Sequence, residues 1–274
     1  MLGPPLSASE ADLYDSSVVP RYLAYFGSLA STMFLPCEQA QIAHLGCRTG
    51  YPDGVIVEKV LEGTLVGIDG SAPALEVARA KAALTTDVQV SYLLGEAIPT
   101  DLPSEAFTHA LAVHPLCDAE GRSRLLAELY RVLLPGGQAL ISLPLRGSFP
   151  EINDMIREFA LRQDLGELGK AIDLAASSRP TIETVAEEFE SAGLTEVDVD
   201  VQLIAVSFNN GREFLEDPIA RLIVFPDLNA MLPMEEAVAA PCMKYLHEAI
   251  GKYWSEGEFE LTVNVGCASG RRLV

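Results

Sequence analysis

The stretch "AQIAHLGCRTGYPDG", residues 40–54, decides the fold. A short apolar run ends at Leu45, Gly46-Cys47-Arg48-Thr49-Gly50 follows, and helical sequence comes next. A turn between strand and helix needs glycine where the backbone takes positive φ or approaches a ligand. The helix beyond it presents free N–H groups. Such a turn suits a nucleotide-like cofactor. It is not the nicotinamide fingerprint GxGxxG, because its only glycines are Gly46 and Gly50, and no GK[ST] follows to make a phosphate loop.

Outward from this turn, short apolar runs alternate with helical stretches as far as Arg146. "QIAHL", "TLVGID", "VQVSYLL", "FTHALAV" and "QALISLPL" read as strands. Between them, "PDGVIVEKVLEG" reads as a helix ending at Gly63, and "APALEVARAKAAL" as a helix N-capped by Ser71. "AEGRSRLLAELYRVLL" reads as a third helix, capped by Asp118 and ended by Gly136-Gly137. In it Leu125, Leu126, Leu129, Val132 and Leu133 share one face. This alternation predicts a parallel sheet with helices on both faces.

After Arg146 the rhythm changes. "FPEINDMIREFALRQDLGELGKAIDLAA" reads as amphipathic helix, and Thr181 caps the helix "IETVAEEFESAGL", which ends at Gly193. "EVDVDVQLIAVSF" and "EFELTVNVGCAS" read as strands, the second near a sheet edge, with helical sequence between them broken by Pro218, Pro226, Pro233 and Pro241. Seven strands is the simplest count. The expectation is a single domain over residues 1–274: a helical cap (1–40), a cofactor-binding half (41–146) and an acceptor or lid half (147–274).

Composition narrows the function. Lys plus Arg is 19 and Asp plus Glu is 39, so the net charge is −20. No basic run is segregated, which makes nucleic acid and anionic membranes poor partners. Five scattered cysteines form no CxxC pair and the four histidines show no metal-ligand spacing. Reduced thiols in a cytoplasmic protein, with no metal, is the expectation. The N-terminus shows no signal-peptide pattern, and no segment matches a membrane helix.

The second apolar run ends in Asp69, 23 residues after Gly46. A carboxylate there can accept both hydroxyls of a ribose lying across the switch point of the sheet. Together "IAHLGCRTG", "VGIDGSAPALEVARAKA", "LLGEAIPTDLP" and "LLAELYRVLLPGGQALISLP" resemble, in order and spacing, the class I S-adenosylmethionine (SAM) dependent methyltransferases. The likeness is to their small-molecule, type 11 branch and is strongest from Gln41 to Pro144. It implies a Rossmann-like, seven-stranded, mostly parallel sheet with helices on both faces, the last strand antiparallel, and helical lid insertions.

The resemblance also implies roles. Gly46, Cys47 and Gly50 would line the methionine part of SAM, and Asp69 would bind the ribose, with Gly70 and Ser71 beside it. Glu96 and Ala97 would face the adenine, Val113-His114 would lie beneath the sulfonium, and Tyr14 would close over the site. His44 stands where the family has an acid that holds the ammonium group, and Arg48 where it has glycine. Arg48 could point outward or reach the methionine carboxylate. His114 is the candidate general base for the acceptor, with a backbone-bonded histidine as the plainer reading. Asp53 reads as a first-turn helix carboxylate suited to the dipole, and Cys47 as a packing residue. The acceptor is expected to be small or partly apolar, held between the N-terminal helix and the helices after the fifth strand, with Met155, Phe159, Phe208 and Phe214 as candidate lining. S-adenosylhomocysteine would be the product. The alternative is a catalytically inactive pseudoenzyme that acts as an interaction or regulatory module, its acidity suiting a basic protein partner. The proline-broken segment Asn210–Glu256 suits a lid or a homodimer surface.

Overall fold

The computed structural model describes residues 4–83, 88–232 and 234–273. Leu84 and Pro233 lie outside the described residues. The strands are β1 Gln39–Leu45, β2 Glu62–Asp69, β3 Gln89–Leu94, β4 Phe107–Val113, β5 Leu133–Pro144, β6 Leu194–Phe208 and β7 Phe259–Arg272. They form one sheet in the order β3-β2-β1-β4-β5-β7-β6. β1 pairs in parallel with β2 and β4, β2 with β3, and β4 with β5, and the last strands are antiparallel. The chain leaves β1 toward one edge and returns at β4 toward the other. The crevice beyond the carboxyl ends of these two strands is the switch point, where α/β sheets bind ligands.

The helices are α1 Ala8–Leu13, α2 Ala24–Met33, α3 Asp53–Val57, α4 Ala72–Ala82, α5 Ala119–Val132, α6 Pro150–Arg162, α7 Gly166–Ser178, α8 Ile182–Ser191, α9 Gly211–Glu216, α10 Phe225–Met231 and α11 Glu236–Tyr253. A π-helical stretch, Tyr14–Leu23, joins α1 to α2 and contains Pro20, whose missing N–H interrupts regular α-helical bonding. Ser7 and Glu10 start α1 with a reciprocal capping box. Asp118 caps α5 by accepting the Gly121 N–H at 2.8 Å.

Two compact units emerge, Met1–Leu143 with Ile182–Val201 and Val265–Val274, and Pro144–Thr181 with Gln202–Asn264. In the first, Ile42, Leu65 and Leu111 of the sheet and Leu125, Leu129 and Val132 of α5 are buried. In the second, Phe214 stacks on Phe259 at 4.4 Å and meets Phe208 edge-on at 5.2 Å, while Phe159 packs against Tyr245. Phe159, Phe208 and Phe214 are thus core residues of this unit rather than an open lining, and Met155 is half-buried.

Several local expectations change. The helix after the glycine turn stops at Val57, not Gly63. Gly63 lies inside β2, where a Cβ would come within 2.1 Å of the Ala40 carbonyl oxygen, so its glycine serves strand contact. Gly136-Gly137 does not end α5; β5 already begins at Leu133, and the glycines fall where its pairing with β4 slips. The Ser71 hydroxyl does not cap α4, because it bonds Leu6. The long helix after Arg146 breaks between α6 and α7, where Asp164 takes positive φ. α11 runs through Pro241, which is exposed. β7, by contrast, lies near the sheet edge as expected, one strand in from it.

Leu129, fully buried on α5, gives a test of this packing. Leu129→Ala should lower stability by about 2–5 kcal/mol in urea unfolding. Leu61→Ala, at a position 81% exposed, should change it by no more than about 0.5 kcal/mol.

Candidate functional site

The turn after β1 bends through three left-handed residues, Gly46 (φ 71), Arg48 (φ 49) and Gly50 (φ 76). Two are glycines, for which this region is free of strain; Arg48 is not. The turn is tied to β2: the Gly46 and Cys47 N–H groups both donate to the Ile68 carbonyl, at 2.8 and 3.2 Å. At Gly50 a Cβ would also come within 2.6 Å of the Tyr92 hydroxyl. Cys47 is buried against Leu75, Ala78 and Tyr92. Burial, reinforced by Asp53 and Asp69, pushes its thiol well above the usual range, so it is a packing residue and not a nucleophile.

Asp69 ends β2 and is wholly buried. Its Oδ2 accepts the Arg48 N–H at 3.1 Å and its Oδ1 accepts the Ser71 N–H at 2.8 Å. The Arg48 guanidinium stands 3.7 Å from Oδ1 and donates to the Pro4 carbonyl at 2.6 Å. The Ser71 hydroxyl receives the Leu6 N–H at 2.9 Å. An N-terminal strap is therefore fastened across the mouth of the crevice at Arg48 and Ser71. Burial raises the Asp69 pKa, against the lowering pull of Arg48 and of both backbone N–H groups. Arg48 itself is buried and points inward, so the expectation that it could turn outward is not met.

On the other side of the turn, His44 is fully buried and its Nδ1 lies 2.6 Å from Asp53 Oδ1. The Tyr92 hydroxyl donates to Asp53 Oδ2 at 2.9 Å. Asp53 thus does more than suit a helix dipole. No sequence motif marks this trio, which joins β1, α3 and β3. Among the described residues, His44 Nε2 and Thr49 Oγ1 are buried polar atoms with no hydrogen-bond partner.

A narrow cleft is lined by Tyr14, Leu23, Gly46, Cys47, Arg48, Thr49, Tyr51 and Val113. It brings together five of the residues expected at the cofactor. Glu96 and Ala97 are exposed on the loop after β3, with Glu96 Cγ only 3.2 Å from where a Gly70 Cβ would stand. His114 follows β4 with φ 52, packs edge-on against Phe26 and Tyr22, and shares a 2.9 Å hydrogen bond between its Nε2 and the Tyr22 hydroxyl. No helix among the described residues is long and apolar enough to cross a membrane.

A family model for a methyltransferase domain matches residues 43–141. A curated relative, demethylmenaquinone methyltransferase of Thermus thermophilus, is 31% identical over 140 residues; the match covers 46% of this chain and 62% of the relative. The chain thus spans less than two thirds of that relative's length. Among solved structures, the BH2331 protein of Bacillus halodurans is similar with a TM-score of 0.55 at 15% identity, covering 92% of this chain and 99% of the other. Phosphoethanolamine N-methyltransferase 2 of Haemonchus contortus, solved with SAM, has a TM-score of 0.53 at 14% identity, covering 98% of this chain and 60% of the other. A [4+2]-cyclase, SpnF, has a TM-score of 0.51 at 15% identity, covering 99% and 98%. These structural likenesses are of fold.

Tyr14 gives a titration test. Burial is the main reason its phenol is pushed up to about 12, with Asp69 adding to it and Arg48 opposing. Its protonated form is the one the fold prefers, so this contribution is complete below about pH 10 and lost as pH rises toward about 12. Urea unfolding of wild type and Tyr14→Phe across that window should show wild type losing stability relative to the variant.

Proposed function

We propose that residues 43–141 form a methyltransferase domain of the class I, type 11 group, and that the chain uses it to move a methyl group from SAM to a small acceptor. The observation that carries this reading is Asp69: a buried acid ending β2 at the switch point, across from a glycine turn. The cleft residues fit the cofactor. His44 Nε2 and Thr49 Oγ1 are unpartnered polar atoms beside the turn, and a ligand's amino-acid end would satisfy such groups. The relative's action on demethylmenaquinone supports a small-molecule acceptor.

When bound, SAM supplies an activated methyl for in-line displacement. The chain's own residues hold and align. Asp69 would accept the ribose hydroxyls, Gly46 and Val113 would border the methionine arm, and Glu96 would face the adenine. Tyr14 and the Pro4–Leu6 strap would exclude water. Arg48 has to leave Asp69 before a ribose can bind. At His114 Nε2, a base for the acceptor would first have to part from Tyr22.

The pair of Arg48 with Asp69 favours a second reading. With the strap fastened, the cleft is too tight to admit a cofactor. A chain locked in this state would be an inactive, acidic interaction module for a basic protein partner.

Thermal unfolding with SAM and S-adenosylhomocysteine separates the two. At 100 times its dissociation constant, a ligand should stabilise the first reading's protein by roughly 2.7 kcal/mol, and Asp69→Ala should abolish the shift. Arg48→Gly should tighten binding about tenfold or more by removing the competing partner of Asp69. No shift in wild type or Arg48→Gly at millimolar ligand would sink the enzyme reading. A shift only in Arg48→Gly would favour the locked module.

A further inference from the structure

The loop between β3 and β4, residues 95–106, contains no helix or strand. Its near end rests on the end of β2. The Gly95 N–H donates to the Asp69 carbonyl at 3.0 Å, and a Cβ on Gly70 would meet Glu96 Cγ at 3.2 Å. Glu96 therefore stands beside the turn that follows the buried acid, with Ala97 next to it in the chain. Both are exposed, so burial in the core does not fix where they stand.

The far end of the loop is held from α5. Glu128 is 2% exposed, and its Oε1 accepts the Thr100 N–H at 2.8 Å and the Thr100 hydroxyl at 2.5 Å. Arg131, on the same face of the helix, grips the same segment. Its Nη2 donates to the Thr100 and Leu102 carbonyls at 3.2 and 2.8 Å, and its Nη1 to the Ser104 hydroxyl at 2.7 Å. The two side chains also hold each other, with Arg131 Nε donating to Glu128 Oε2 at 2.8 Å. A helix pair at this spacing contributes little when it stays on its own helix. This pair reaches off the helix, and each partner aims the other at the main chain of the loop. A carboxylate this buried requires donors, and Thr100 supplies two of them. Residues 96–99 are left spanning two fixed points, the Asp69 carbonyl and the clasp at Thr100.

We propose that Glu128 and Arg131 are positioning residues for the base of the cofactor. Their clasp fixes Thr100, and Thr100 together with Gly95 fixes where Glu96 and Ala97 stand. This rests on the methyltransferase reading, in which those two residues face the adenine. Both α5 side chains act through the loop rather than on the ligand. A loop ordered before binding lowers the ordering cost of the contact. Loss of the clasp should therefore fall on the base and spare the amino-acid end.

The test compares S-adenosylhomocysteine with S-ribosylhomocysteine, which keeps the ribose, sulfur and amino-acid end but lacks the base. In titration calorimetry, Arg131→Gln should weaken the first by about tenfold and leave the second within about twofold. Thr100→Val leaves α5 intact and removes only the hydroxyl contact, so it should weaken the first by about threefold. In wild type, S-adenosylhomocysteine should slow amide hydrogen exchange across residues 95–99. Without ligand, both variants should exchange faster than wild type over residues 96–102. Wild-type exchange with Thr100→Val decides the matter if Arg131→Gln does not fold or the ribosyl ligand binds too weakly to titrate. Equal weakening of both ligands, an unchanged affinity for S-adenosylhomocysteine, or exchange at 95–99 indifferent to it would overturn the positioning role alone. Wild type that does not bind S-adenosylhomocysteine overturns the methyltransferase reading, and the role of the clasp with it.

Discussion

One buried carboxylate organises the first unit. Asp69 has no exposed surface, and an isolated charge in such a place is too costly to persist. It is matched by the Arg48 N–H, the Ser71 N–H and the Arg48 guanidinium. These come from the turn after β1 and the turn before α4. Through Arg48 the same charge reaches Pro4, far away in sequence. Removing one partner of a buried pair leaves the other uncompensated, which is the costly case. The acid proposed to bind a ribose is therefore also what holds the N-terminal strap through Arg48.

A second carboxylate divides the work. Asp53 faces His44 and Tyr92 on the opposite side of the same turn. Room for Tyr92 depends on two glycines. At Gly50 a Cβ would crowd its hydroxyl, and at Gly67 its ring and the Cys47 sulfur. The glycines of this segment thus have two causes. Gly46 relieves positive φ, Gly67 makes space, and Gly50 does both. Arg48 takes positive φ without being glycine, and the bonds of its own backbone and side chain to Asp69 hold it there.

Much of the architecture was legible because hydrophobic period and turn residues are local. Strand "FTHALAV" became β4 residue for residue, and Asp118 caps α5 as its side chain chemistry requires. The misreadings were of residues whose role is set from elsewhere. Gly63 reads as a helix end but answers to the carbonyl of Ala40 on the neighbouring strand. Gly136-Gly137 reads as a helix stop but lies in a strand whose pairing slips. Ser71 reads as a cap, yet its hydroxyl is taken by Leu6. In each case a long-range contact overrode a local preference.

The sequence by itself determined the order of strands and helices, the glycine turn, the acid after the second strand and the family they resemble. These follow from periodicity and spacing along the chain. Only the tertiary structure decided the state of the site. That Arg48 turns inward to Asp69, that the N-terminal strap fastens to it, and that Asp53 stands behind His44 are facts of burial and hydrogen bonding. They link residues 44 and 65 positions apart, and 9 apart across a turn. No local pattern encodes such pairs, because a buried polar group takes whichever partner the completed fold brings to it.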